Sequence, residues 1–406
     1  MSVLSQYPVD LVGDSDSVLT ARRPYLLIEE LLRHVVGNGA TDLHLKVGSP
    51  PVMRVDGLLQ RQDDFPPLTV DDLRSLLEQV TSQEQRIAFG REMELDFAYS
   101  VPGVARFRVN AMQQRGTPSL VFRIVPTVPP SIEGLGIPSI CKELILRPRG
   151  LVLVTGKAGC GKSTTLAAMI NHLNENEAKS VITIEDPIEY LFTDKRCTIR
   201  QRDMGDDTKS FHTALVHALR SDPDVIVIGE MRDLETISAA MTAAETGHLV
   251  LGTLHTVDAA QSIDRIIDIF PYGQQRQVRL QLSEVIEAVI SQTLVPRIGG
   301  GRVAAFEVML ATTVIRRLIR DEKVHEITPN MEMGRLEGMR TLDQALASLV
   351  QEGQVTEEVA RLVTGNPARL AELFQQNHNG GAPSPLPNGF SAYSRADSEM
   401  RRITGQ

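Results

Sequence analysis

The sequence contains no tryptophan, and aromatic residues make up only 4% of its 406 residues. It has three cysteines, Cys141, Cys160 and Cys197, and no C-x-x-C pair. This argues against a disulfide framework and a zinc ribbon, and is typical of a reducing compartment. No apolar run approaches the roughly 20 residues that cross a bilayer, and the first residues do not resemble a signal peptide. The sequence therefore predicts a cytoplasmic protein without direct membrane insertion.

Acidic residues outnumber basic ones: the sequence has 51 Asp and Glu and 42 Lys and Arg, which gives a net charge of −9. Nucleic-acid motors combine a basic channel with stacking aromatic side chains, and this composition favours neither, so no nucleic-acid partner is predicted. Hydrophobic residues are abundant at 42%, which is typical of a soluble α/β protein. A chain of this length exceeds one ordinary core, so two folded domains are predicted.

The first part of the chain has the pattern of an α+β domain. Residues 1–24 are polar and irregular and are predicted to form a flexible arm. Within 25–125, helical spacing alternates with period-two strands, a hairpin at 42–62 and three strands over 95–126, which predict an antiparallel sheet. Residues 126–138 are rich in proline and glycine and are predicted to be a linker.

The second part has a different pattern, in which strand, glycine-rich turn and helix recur. Such repetition over 139–370 predicts right-handed crossovers and a mostly parallel sheet. From 277 to 363 the spacing favours helices, with one short strand at 302–310. The last residues, 371–406, are rich in Gly, Pro, Ser and Asn and are predicted to be disordered.

A glycine-rich loop lies between an apolar strand and a helix in GLVLVTGKAGCGKSTTLAAMINHL, residues 150–173. GKAGCGKS matches the P-loop pattern in the context that this motif requires. Its glycines let backbone N–H groups surround a phosphate, Lys162 supplies a positive charge, and the Ser163 hydroxyl can ligate Mg²⁺. The predicted nucleotide-binding residues are Gly156, Lys157, Ala158, Gly159, Cys160, Gly161, Lys162, Ser163 and Thr164.

Carboxylates follow two further apolar strands. VIVIGE ends on Glu230, which is predicted to hold Mg²⁺, directly or through water, or to polarise the attacking water; the alternative is a salt bridge with Arg232. VITIEDPIEY ends on three acids, a density that suits a water that must lose a proton. Glu189 is the favoured general base, with Glu185 and Asp186 as alternatives.

Two histidines flank the strand LVLGTL. His248 precedes it and His255 follows it, and they are candidates for sensing a γ-phosphate or a neighbouring subunit. The alternative is that they are structural, which is the commoner role of a single histidine.

The segments GKAGCGKST, ITIEDPIEY and IGEMRDLETISAAMTAAETGHLVLGTLHT together resemble the Walker A, Asp box, Walker B and His box of the secretion ATPase superfamily. ATDLHLKVGSPPVMRVDG, residues 40–57, looks like the N-terminal PAS-like domain of type IV pilus retraction ATPases, and the resemblance extends over about 25–370. It implies an α/β fold: a RecA-like P-loop ATPase core with an N-terminal PAS-like α+β domain.

The resemblance also implies a function. The resemblance to the retraction ATPases implies a ring-shaped homohexamer that hydrolyses ATP with Mg²⁺ to power pilus retraction and twitching motility. It would act at the inner face of the cytoplasmic membrane on a pilus platform protein. The implied catalytic residues here are Lys162, Glu185, Glu189, Glu230 and His255. Arginines of the first domain could act as arginine fingers across a subunit interface, or could simply coat its solvent face: Arg106, Arg108, Arg115 and Arg123.

Alternatives within the superfamily are a pilus-assembly or type II secretion ATPase and a retraction-accessory paralogue. A RecA-like nucleic-acid motor is an alternative of another class, and a nucleotide-regulated binding module without turnover is a third. The segment VIRRLIRDEKVHEI, residues 314–327, resembles the family's retraction helix, but carries Val314, Arg317 and Asp321 where the family has Ala, Asn and Glu.

Overall fold

Residues 26–379 are described by the computed structural model, without the side chains of 376–379, and their backbone divides into two units. The first unit comprises 26–104 and 109–123, and the second comprises 105–108 and the residues from 124 onwards. The predicted arm, 1–24, lies outside the described residues. None of the described helices is both long and apolar enough to cross a bilayer.

The first unit is built on a six-stranded sheet in the order β3-β2-β1-β6-β5-β4. Strand β1 pairs antiparallel with both β2 and β6, so the predicted antiparallel sheet is confirmed. Helix α1 packs through residues spaced by three and four, Ile28, Leu31, Leu32 and Val35. The elements are α1 (Ile28–Gly37), β1 (Asp42–Leu45), β2 (Val52–Val55), β3 (Leu58–Arg61), α2 (Val70–Val80), α3 (Gln83–Glu92), β4 (Glu94–Val101), β5 (Ala105–Gln114) and β6 (Thr117–Val125).

The second unit contains a seven-stranded sheet in the order β13-β12-β7-β11-β10-β8-β9. Its pairs are parallel except for β13, which runs antiparallel to β12, so the predicted mostly parallel sheet is confirmed. Its strands are β7 (Gly150–Thr155), β8 (Ser180–Glu185), β9 (Thr198–Asp203), β10 (Val225–Ile228), β11 (Leu249–Leu254), β12 (Ile286–Pro296) and β13 (Arg302–Leu310).

Helices cover both faces of this sheet. Along β7, Leu151 and Leu153 belong to one hydrophobic cluster, whereas Val152 and Val154 belong to the other, as expected for a parallel strand buried on both sides. The helices are α4 (Ile140–Ile145), α5 (Lys162–Asn176), α6 (Phe211–Ala218), α7 (Leu234–Glu245), α8 (Ala259–Asp268), α9 (Tyr272–Val285), α10 (Thr313–Arg320), α11 (Ile327–Met333), α12 (Leu342–Gln351), α13 (Glu357–Val363) and α14 (Pro367–Asn379), with short 3-10 turns at Val324–Glu326 and Gly334–Glu337.

The prediction of helix from 277 to 363 is wrong at β12. Helix α9 ends at Val285, and the chain then forms an eleven-residue strand between β7 and β13. Its apolar residues Ile286, Val289, Ile290 and Leu294 have helical spacing, but apolar residues also suit a strand buried on both faces, so periodicity alone does not separate the two. The pairing of β12 with two neighbouring strands decides the outcome.

The predicted disordered tail begins too early. Helix α14 continues from Pro367 to Asn379, and Leu370 and Phe374 belong to a hydrophobic cluster with residues of α12 and α13. Burial of these two side chains stabilises helix α14, whose order the amino-acid composition of this segment does not predict. The remainder of the predicted tail, 380–406, lies outside the described residues.

Helix α10, which carries the resemblance to the retraction helix, packs through Ile315, Leu318 and Ile319. Its Arg316 is not a solvated surface residue, because the guanidinium donates to the Ser283 and Glu284 carbonyls at 2.9 and 2.8 Å. It therefore satisfies carbonyl groups that helix α9 leaves open at its carboxyl end.

Glu307 of β13 is buried beneath two helix N-termini, with 6% of its surface exposed. Its carboxylate accepts from the backbone N–H of Ala259 in α8 at 2.7 Å and from that of Leu342 in α12 at 3.2 Å. Burial raises the pKa of Glu307 to about 7, although these amides act in the opposite direction and Asp258 and Asp343 add to the rise.

This raised pKa predicts how stability depends on pH. The folded chain holds the Glu307 proton more tightly than the unfolded chain, so protonation of Glu307 stabilises the fold. This stabilisation is complete below about pH 4.5 and is lost as the pH rises through about 7. The full difference corresponds to about 3 kcal/mol. We expect the free energy of unfolding of the wild type relative to Glu307→Gln to fall by that order between pH 5 and pH 8, measured by urea unfolding followed by circular dichroism.

The exposed Glu357→Gln serves as the control for this measurement, because its carboxyl makes only a surface ion pair with Arg361. If the difference in unfolding free energy between the wild type and Glu307→Gln is the same at every pH, the prediction is contradicted.

Candidate active site

The glycine-rich loop lies between β7 and the N-terminus of α5. Gly161 precedes the helix with φ of +95°, a left-handed conformation that favours glycine. The first N–H groups of a helix have no partner within the helix, so the loop and the start of α5 together offer backbone donors and a positive dipole end to an anion.

Lys162 begins α5 and is buried, with 9% of its surface exposed. Its ammonium donates to the Gly156 and Lys157 carbonyls at 2.8 and 3.2 Å, so it lies against the inner side of the loop. Ser163 and Thr164 follow it and line the same cleft, together with Ala158, Gly159 and Gly161. Lys157 is exposed, while Cys160 is buried and its burial raises the pKa of the thiol.

Glu230 lies two residues beyond β10 and lines the cleft. Both of its carboxylate oxygens accept hydrogen bonds from the Arg232 guanidinium, and the bond from Nη2 to Oε2 is 2.6 Å long. The other oxygen, Oε1, also lies 3.0 Å from His255 Nε2. Partial burial would raise the pKa of Glu230, but the hydrogen bonds and charges of Arg232 and His255 outweigh it and lower the pKa. The salt bridge considered as an alternative is therefore present, at the edge of the predicted site.

The acids after β8 are in different environments. Glu185 is partly buried, and its Oε1 accepts from the Thr183 hydroxyl at 2.6 Å and from the Gln201 amide at 3.1 Å. Burial raises the pKa of Glu185, and these two hydrogen bonds oppose the rise. Glu189 and Asp186 are exposed side chains at the rim of the same cleft.

The two histidines lie at opposite ends of β11. Because a six-residue strand extends over about 20 Å, they cannot both reach one site. His255 lines the cleft beside Glu230. His248 lies at the other end, where its ring nitrogen is 3.0 Å from the Ala243 carbonyl near the end of α7. The structural alternative therefore applies to His248.

Two residues that hold the loop after β8 were not among the predicted site residues. The Gln201 side chain in β9 donates to the Tyr190 carbonyl at 2.8 Å and accepts from the Phe192 N–H at 3.0 Å, so it orients the loop that follows β8. The Tyr190 hydroxyl donates to Thr164 at 3.3 Å, linking that loop to α5. Tyr190 is the last residue of the ITIEDPIEY segment but was not assigned a role, whereas Gln201 belongs to no motif and its polar side chain within a strand is only a weak signal.

The oxygen donors of the cleft suit Mg²⁺ in kind, since Mg²⁺ prefers hydroxyl, carboxylate, phosphate and water oxygens. Ser163 and Glu230 both line the cleft. Among the described residues, no group of three His, Cys, Asp or Glu side chains could hold a metal ion. A magnesium ion here would therefore take most of its ligands from phosphate and water.

A buried lysine under a glycine-rich loop, facing carboxylates at the carboxyl ends of neighbouring parallel strands, is the arrangement of the P-loop ATPases. Residues 24–361 match the family model described as Type II/IV secretion system protein. The chain belongs to that family.

Individual relatives agree with this assignment. The chain is 50% identical over 347 residues to a Pseudomonas aeruginosa protein named "Type IV pilus retractation ATPase PilT", covering 86% of this chain and 99% of that protein. It is 42% identical over 366 residues to the "Type IV pilus ATPase PilU" of the same species, covering 89% and 96%.

The solved structure of the pilus retraction motor PilT with bound ADP is also similar. It matches 86% of this chain and 99% of its own, with a TM-score of 0.79 and 46% identity. The RecA-like ATPase core predicted from the sequence is confirmed.

Proposed function

We propose that this chain is an ATPase motor that powers the retraction of type IV pili and thereby twitching motility. The observation that carries the proposal is 50% identity to a named retraction ATPase over nearly its whole length, in a chain whose loop and acids form a P-loop ATPase cleft. Identity to the PilU protein is lower, at 42%, so the accessory function is the weaker candidate.

The cleft residues would have separate roles in phosphoryl transfer. The Lys162 ammonium and the loop amides bind the polyphosphate and neutralise its charge. Glu189, exposed at the rim, aligns the attacking water and accepts its proton, with Glu185 and Asp186 as alternative bases. His255 and Glu230 form a hydrogen-bonded pair placed to respond to the terminal phosphate.

Ser163 and Glu230 are the residues that would hold Mg²⁺, which supplies neutralisation of the phosphate charge when bound. Arg232 already occupies both carboxylate oxygens of Glu230. This favours contact between Glu230 and the ion through water, one of the two modes that the sequence left open.

The proposal includes a ring-shaped homohexamer, at the inner face of the cytoplasmic membrane, that acts on a membrane-embedded pilus platform protein. In it, the exposed Arg108 and Arg115 are better candidates for arginine fingers than Arg123. Arg123 is also exposed, but its guanidinium is bound to the buried Asp42 at 2.8 Å. The hinge between the two domains would lie at the start of the predicted linker 126–138, because Ile132 and Ile137 are buried in a core cluster of the second unit.

The departures of α10 from the family's retraction helix are compatible with this function. Val314, Arg317 and Asp321 are all exposed, so they leave the packed face unchanged. Arg317 Nε and Asp321 Oδ2 lie 3.3 Å apart in an i,i+4 ion pair, so the positive charge that Arg317 adds in place of Asn is paired with Asp321, which keeps the charge of the family's Glu.

Deleting the gene in the source organism tests the proposal. We expect loss of twitching with an excess of surface pili, because fibres still assemble but are not withdrawn. Complementation with the wild-type gene should restore movement, and complementation with Lys162→Ala should not. The readouts are twitching zones and pili counted by electron microscopy.

Other outcomes have distinct meanings. Loss of surface pili would indicate an assembly ATPase, and wild-type twitching would exclude the retraction function. Hydrolysis that requires added DNA would favour a nucleic-acid motor. Light scattering should give a particle of six chains, and a monomer that hydrolyses ATP fully would contradict the ring.

A further inference from the structure

Strand β12 extends past the end of β7 and reaches the glycine-rich loop. Ser291 is aligned with Thr155, the last residue of β7, so the next residue of β12, Gln292, lies beside the start of the loop. Gln292 is 3% exposed. A polar side chain at such depth is expected to have specific partners.

Both ends of the Gln292 side-chain amide bind the phosphate loop or the helix that follows it. Nε2 donates to the Cys160 carbonyl, and Oε1 accepts from the Thr165 hydroxyl of α5 at 2.8 Å. The orientation of the amide is determined by chemistry, because a carbonyl oxygen only accepts and must therefore face the NH₂ group.

Two loop glycines leave the space that Gln292 occupies. A Cβ atom on Gly156 would lie 2.4 Å from the Gln292 carbonyl oxygen, and one on Gly161 would lie 3.0 Å from Gln292 Nε2. These glycines therefore allow close approach of β12 as well as the curvature of the loop.

The contact with Cys160 has a consequence for phosphate binding. In a trans peptide unit the C=O and N–H groups point in opposite directions. Because Gln292 holds the Cys160 carbonyl towards β12, the N–H of Gly161 in the same peptide unit is held pointing away from β12. Gly161 is a loop residue that lines the cleft, and its N–H is one of the donors offered to an anion.

We infer that Gln292 is a positioning residue for nucleotide binding. It fixes the Cys160–Gly161 peptide so that the Gly161 N–H is presented to the phosphates before a nucleotide arrives. Preorganised donors bind an anion without a reorganisation cost at the moment of binding. The inference deepens the proposed function at the nucleotide site, but rests only on nucleotide binding there and not on pilus retraction.

Gln292→Met and Gln292→Glu test this role. Methionine keeps the length of the side chain without hydrogen bonds, and glutamate places an acceptor against the Cys160 carbonyl. We expect the Kd for Mg·ADP to rise by roughly tenfold to a hundredfold. This is the expected effect of leaving a buried polar group, here the Cys160 carbonyl, without its hydrogen bond. The Kd for AMP should change little, because the loop holds the β-phosphate, which AMP lacks.

The ratio of the two dissociation constants is the discriminating readout, measured by fluorescence titration with N-methylanthraniloyl derivatives of ADP and AMP on the full chain. Ser291→Ala is the matched control. It is on the same strand and equally buried, and its hydroxyl contacts the Thr155 hydroxyl at 2.8 Å and not the loop. This variant should lower the melting temperature without changing the ratio.

Thr165→Val gives a second route if a Gln292 variant does not fold. It removes the donor to Oε1, so we expect a smaller change of the ratio in the same direction, and Thr165→Ser should restore the wild-type value. An unchanged ratio in the folded variants would overturn the inference and leave Gln292 with a packing role. Failure of the wild type to bind ADP would instead contradict the proposed function.

Discussion

Replacing Glu189 by glutamine is expected to lower kcat for ATP hydrolysis by about 10²–10⁴-fold, the contribution of a positioned general base. The substitution preserves shape and removes only the ability to accept a proton. Glu189 is exposed at the rim of the cleft, so neither folding nor ADP binding should change. Steady-state phosphate release and a titration with fluorescent ADP measure the two quantities separately.

Glu177→Gln is the control for this prediction, because Glu177 is an exposed residue at the carboxyl end of α5, the end opposite the phosphate loop. The alternative base is tested by Glu185→Gln. Burial raises the pKa of Glu185, so a reaction that uses it as base should lose rate as the pH falls through that raised value. Wild-type turnover in Glu189→Gln, with a large loss in Glu185→Gln, would transfer the role to Glu185.

Lys162→Ala is expected to lower kcat/KM by at least about 10²–10³-fold, the effect of removing one donor directed at developing charge. The ammonium donates to two loop carbonyls, those of Gly156 and Lys157, so its loss also releases the loop from α5. ADP binding should therefore weaken together with turnover. Isothermal titration with ADP and a phosphate-release assay would measure both effects.

Lys179→Ala is the matched control, since it removes the same charge just before β8, at the edge of the sheet opposite the cleft. Its ion pair with Asp224, at 3.3 Å, is exposed, and such pairs contribute about 0–1 kcal/mol. Turnover by Lys162→Ala at the rate of this control would refute the assigned role of the P-loop lysine.

Much of the site was predictable because it is local in sequence. The loop residues 156–164 are consecutive, and glycine spacing followed by lysine and serine directly encodes the strand, turn and helix that bind phosphate. Glu230 and His255 were also predictable, because both follow apolar strands and the carboxyl ends of parallel strands meet at one edge of a sheet.

Contacts between distant residues were not predictable in this way. The sequence allowed Glu230 either to bind a metal ion or to pair with Arg232, and only the three-dimensional structure shows that Arg232 binds both carboxylate oxygens. His248 and His255 look equivalent in sequence, yet the length of β11 puts them at opposite ends of the strand. Gln201 belongs to no motif, and only the pairing of β9 with β8 brings it against the loop that carries Tyr190.

The sequence by itself determined the P-loop, the mostly parallel sheet and the acids at its strand ends, because each depends on residues close together in the chain or on the period of a single element. Only the tertiary structure decided that 286–296 is a strand and that Gln292 lies against the loop. The physical reason is that this segment of mixed apolar and polar residues can satisfy its backbone hydrogen bonds either in a helix or in a sheet. Its neighbours in space, β7 and β13, provide the partners that select the strand.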